Sequence, residues 1–85
     1  MTKRKITLTK TTEHHKICAE AAARAAEQLE AAARNQRFDA LPRIHYAALA
    51  RMERLSQAYH EEAASLLEQG LAVPDWIDWL QARGI

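Results

Sequence analysis

Apolar and polar positions follow one another along most of this chain with the period of an α-helix. From residue 12 to residue 34 nothing interrupts that period. At 100° per residue Lys16, Glu20, Arg24, Glu27, Glu30 and Arg34 gather on one face, and Cys18, Ala22, Ala25, Leu29 and Ala32 form the opposite seam. Thr11 or Thr12 is suited to cap this helix, with Glu13 well placed in its first turn. The pattern breaks over residues 35–41 (NQRFDAL), where Asp39 is a natural cap and Pro42 needs no donor in a first turn. A second helix is expected over residues 42–69. Its stripe is Leu41, Ile44, Ala48, Met52, Leu55, Tyr59, Ala63 and Leu66, widened by Leu49 and Leu67. Gly70 is a C-terminal stop, with Leu71 able to fold back onto the last turn. A short third helix is expected over residues 74–82, with Trp76, Trp79 and Leu80 on one face.

Residues 1–11 read differently. Ile6 and Leu8 alternate with Thr7 and Thr9, which suits a short strand or a flexible basic arm. The whole chain is then one helical domain. Its class is all-α, a long antiparallel hairpin plus a short C-terminal helix. The apolar arc of the second helix is about 140° wide, more than one alanine-rich partner can cover. Either the third helix folds back over part of it, or two hairpins pair as a four-helix-type bundle. A chain of this size gains from assembly, and a two-fold homodimer is the expected form.

Composition strengthens the helical reading. Of 85 residues 18 are alanine, concentrated between residues 19 and 33, against two glycines, two prolines and five aromatics. A single cysteine allows no internal disulfide, and no apolar run approaches the ~20 residues of a membrane span. With no signal-peptide pattern behind the basic start, the expected compartment is the cytoplasm. Net charge is only +1, but it is unevenly spread. Lys3, Arg4, Lys5, Lys10 and Lys16 outweigh Glu13 near the start, while Glu61, Glu62, Glu68, Asp75 and Asp78 outweigh Arg83 near the end. Such a head and tail can bind outside partners or attract each other.

Several residues invite chemistry. Antiparallel pairing about a turn near residue 37 brings His15 opposite His60, with Cys18 one turn away. His14 and Cys18 are i,i+4, so His14, Cys18 and His60 form a candidate zinc set, against the plainer reading of surface histidines and a small thiol. His45 lies within the apolar arc, as a packed or interface histidine or as a pH-sensitive one. Arg54 and His60 have a spacing found in some helical ribonucleases, but six residues along a helix set them about 120° apart. No nucleophile has an evident activating partner, so no enzyme is expected. The basic arm Lys3, Arg4, Lys5 and Lys10 suits phosphate contacts. A basic strand running into a helix is also how ribbon–helix–helix repressors begin. They turn after about a dozen residues, where AAARAAEQLEAAAR here continues unbroken, and the chain is not assigned to them.

The expected function is a non-enzymatic protein–protein interaction module, an adaptor, regulator or stoichiometric inhibitor with no cofactor. Trp76, Trp79, Tyr59 and Arg51 are its candidate contacts, since aromatic and arginine side chains dominate interface energetics. The tryptophan cluster can equally cap the open end of the hairpin. The alternative function is a nucleic-acid-associated protein using the basic arm.

Overall fold

The structure, a computed structural model, describes residues 11–85. Within them lie three helices and no strand: α1 (Thr12–Arg34), α2 (Ala40–Glu68) and α3 (Trp76–Ala82). The expected arm or strand falls almost wholly on residues 1–10, outside the described residues. α1 and α2 pack against one another as the hairpin, and α3 returns to the open end.

Each boundary has a local cause. Thr11 is extended and its hydroxyl accepts the His14 N–H at 3.2 Å, so it supplies the cap of α1. Residues 35–38 make the turn: the Asn35 side chain accepts the Arg37 N–H at 3.0 Å, and its carbonyl accepts that of Phe38 at 3.1 Å. α2 starts at Ala40, two residues before the expected Pro42. Asp39 adopts the extended cap conformation but makes no side-chain cap bond. Pro42 is tolerated inside this first turn because the opening N–H groups of any helix lack intrahelical acceptors.

α2 and α3 both end on a glycine that reverses the chain. Gly70 and Gly84 have φ of 76° and 77°. Gly70 donates to the Leu67 carbonyl at 3.0 Å and Leu71 to Leu66 at 2.8 Å; Gly84 and Ile85 repeat the pattern on Gln81 and Leu80 at 3.0 and 3.1 Å. α3 starts at Trp76 rather than at Pro74, with Asp75 as its cap residue.

The contact between α1 and α2 is built from small side chains. His15, Ala19, Ala22 and Ala26 are buried on α1, and Ala50, Ala63 and Ala64 on α2. The expected α1 seam shares only Ala22 with this set, so the seam is displaced by about one residue. Polar pairs line the contact. Arg54 grips Glu30 through two hydrogen bonds of 2.9 and 2.8 Å, and Lys16 meets Glu68 at 3.0 Å. The Arg54 guanidinium holds the Glu30 carboxyl below its ordinary range, and Glu68 raises the Lys16 ammonium above its own.

Ala26 is 0 % exposed, so nothing larger fits without separating the helices. Ala26→Leu should lower stability by about 1–3 kcal/mol in urea titration despite leucine's good helix propensity. An unchanged midpoint would mean that the two helices do not meet there.

Candidate interaction surface

At about 100° per residue, Ala50, Arg54, Ala64 and Glu68 lie on the half of α2 opposite Leu41, Ala48, Met52 and Leu55. The first group faces α1, as the buried alanines and the Arg54–Glu30 and Lys16–Glu68 pairs show. The part of the expected α2 stripe from Leu41 to Leu55 therefore points away from α1. The seam of α1 is too small in side-chain volume to fill a broad aliphatic face, and it docks where α2 is also small.

The C-terminal part of the stripe is claimed within the chain. Trp79 is 3 % exposed, and its Nε1 donates to Glu62 Oε1 at 3.2 Å. Arg83 donates to the same oxygen at 2.7 Å, with its guanidinium carbon 4.1 Å from the centroid of the Trp79 ring. Trp76 stacks on Trp79 at 5.6 Å between centroids, and Tyr59 meets both rings edge-on at 5.4 and 5.5 Å. The Tyr59 hydroxyl donates to the Pro74 carbonyl at 2.7 Å. The tryptophan segment thus closes down on α2. Of the expected contacts, Trp79 is buried, Tyr59 and Trp76 are half-buried, and only Arg51 is exposed.

The N-terminal part of the stripe has no such cover. Leu41 is 73 %, Ile44 65 % and Met52 52 % exposed, and Leu49 and His45 are exposed beside them. Ala48 and Leu55 are half-buried within the same stripe. Phe38, in the turn just before α2, is exposed as well. Several large apolar side chains in one row on one helix are unlike the scattered apolar residues of an ordinary surface. Sequence had placed these residues in the apolar stripe of the second helix. The signal for a surface was the width of the arc, which exceeded what one partner helix covers.

Three of the four histidines fall into two separate contacts. His15 Nδ1 lies 2.8 Å from His60 Nδ1, so antiparallel register brings these two together as expected. A hydrogen bond at that contact needs one Nδ1 to carry the proton and the other to accept it. His14 Nε2 instead lies 3.7 Å from Cys18 Sγ. The zinc set His14, Cys18 and His60 is therefore divided between two contacts. Among the described residues no group of three or more His, Cys, Asp or Glu is arranged to hold a metal ion. Arg54 and His60 likewise face different partners, Glu30 and His15.

A cleft of about 310 Å³ lies between His15, Tyr59, His60 and residues 71–75, with Leu67 in its wall. Its two imidazoles engage one another and its phenol the backbone, as the histidine contact and the Tyr59–Pro74 bond record. Lys3, Arg4, Lys5 and Lys10 lie outside the described residues. No helix among the described residues is long and apolar enough to cross a membrane. Comparison with protein-family models, curated proteins and solved structures returns no match.

Burial raises the Tyr59 phenol above its ordinary range, and the Asp75 carboxylate adds to the rise. In a Tyr46→Phe background, absorbance at 295 nm should show Tyr59 ionising above the ordinary tyrosine value of about 10. Folding favours the neutral phenol, so stability should fall as pH rises through and beyond that ordinary value. Titration at or below the value of a free tyrosine would contradict the Tyr59 environment.

Proposed function

We propose that this chain is a small non-enzymatic interaction module, and that it binds protein through the uncovered face of α2. The observation that carries this reading is the run Leu41, Ile44 and Met52, each more than half exposed. Leaving such side chains in water forgoes about 1.5–3 kcal/mol for each one that a partner can bury. The opposite half of α2 is occupied by α1, so the face is held rigid before any partner arrives, which lowers the ordering cost of binding. Arg51 stands at the rim of this face, where an arginine can contact a partner without being buried. Trp79 and Tyr59 act as structure, fixing the end of the hairpin.

The module works by occlusion or scaffolding, as an adaptor, regulator or stoichiometric inhibitor. Catalysis has little support: Arg54 is spent on Glu30 and Gln57, and His60 contacts His15. The lone cysteine suits a reducing compartment, and we assign the module to the cytoplasm.

An immobilised wild-type chain should capture its binding partner, a second copy or another protein, from host extract. The Ile44→Asp/Met52→Asp chain should lose at least about 30-fold of that capture, the effect of roughly 2 kcal/mol at an interface centre. Trp76→Ala should retain it. Equal capture by the aspartate variant, with helicity unchanged by circular dichroism, would overturn this assignment of the face.

A further inference from the structure

The uncovered stripe of α2 has a symmetry of its own. Leu41, Ile44, Ala48, Met52 and Leu55 are separated by three, four, four and three residues, so their spacing reads the same in both directions about Ala48. Size follows the same plan, with two large aliphatic side chains on either side of one methyl group. A two-fold interface uses one patch twice, which requires that kind of self-complementarity.

We propose that the occupant of this face is a second copy of the chain, its α2 antiparallel to the first and the two-fold axis passing at Ala48. The proposal rests on the reading of the α2 face given above and names its partner. In this arrangement Leu41 of one copy meets Leu55 of the other, and Ile44 meets Met52. The two Ala48 methyls meet on the axis and let the helices approach closely. Leu49, exposed beside Ala48, meets its own copy along one flank.

Charge permits the pairing. The stripe itself contains no Lys, Arg, Asp or Glu. Arg51 lies on one flank and is displaced from its copy by about 9 Å along the helix axis, so that it lies over Ile44 and Ala47 rather than against another arginine. The contact runs for about 21 Å of helix, short of an interface burying the standard ~800 Å² per partner. The dimer is accordingly reversible, with a dissociation constant on the order of 1–100 µM.

The test combines sedimentation equilibrium from about 0.5 to 500 µM, bracketing that range, with oxidative cross-linking of the full chain. Cross-linking uses a Cys18→Ala background, so that each introduced thiol stands alone. Wild type should dimerise, and Ile44→Asp should weaken dimerisation at least about 30-fold with its helicity intact. Ala48→Cys should form a disulfide readily, within the ~4.4–6.8 Å that Cα atoms of a disulfide span. Leu41→Cys, about 21 Å from its copy, should cross-link at least tenfold more slowly, and Leu41→Cys/Leu55→Cys should recover the fast rate.

A chain that stays monomeric to about 500 µM, or a dimer unaffected by Ile44→Asp, would overturn the proposal. So would Leu41→Cys cross-linking as fast as Ala48→Cys, since that signals parallel or indiscriminate contact. If wild type is monomeric while the α2 variant still loses capture of another protein, the dimer fails and the α2 face stands as a binding surface. If dimerisation and capture both survive Ile44→Asp/Met52→Asp, both readings fail.

Discussion

The arrangement of this protein depends on the small size of the side chains that α1 offers to α2. Ala19, Ala22 and Ala26 bring two helices close but cannot fill the space in front of a row of leucine, isoleucine and methionine. α1 therefore packs where α2 carries Ala50 and Ala64, and where Arg54 and Glu68 reach Glu30 and Lys16. The large aliphatic side chains of α2 are left on its far side. Everything else about the surface follows from that division.

The far side is then treated differently at its two ends. Near the open end of the hairpin, the Schellman turn at Gly70 reverses the chain and the stretch to Asp75 brings both tryptophans back onto Tyr59. One carboxylate, Glu62, satisfies both the Trp79 indole and the Arg83 guanidinium, so a buried indole donor has its partner. Near the turn end no described segment covers α2, and Leu41, Ile44 and Met52 remain exposed. The far side of α2 is thus covered within the chain at one end and exposed at the other.

Much of this was legible in the residues. Threonine before an uninterrupted helical period marked the start of α1, Gly70 marked the end of α2, and register about the turn placed His15 level with His60. The side of α2 that α1 would take was not legible. A helical wheel sums hydrophobicity and is blind to volume, so it favoured the greasy stripe over a flank where alanines alternate with Arg54 and Gln57. The tryptophans left two readings open in the sequence. Aromatic residues suit both interfaces and caps, and only the Glu62 contact, 17 residues away in sequence, decides for Trp79. Residues 1–10 lie outside what the structure describes, so Lys3, Arg4, Lys5 and Lys10 stand as sequence alone placed them.

The central claim, that the outward face of α2 is where this protein meets its partner, has a direct probe in its methionines. Only Met1 and Met52 are present, and Met52 lies within the stripe. Methyl-labelled methionine gives two resonances by NMR, one reporting on the face and one on the start of the chain. On dilution from millimolar to micromolar concentration, the Met52 methyl should shift while the Met1 methyl stays fixed. A Met52 resonance that does not move with dilution, and does not move when a captured partner is added, would contradict the account.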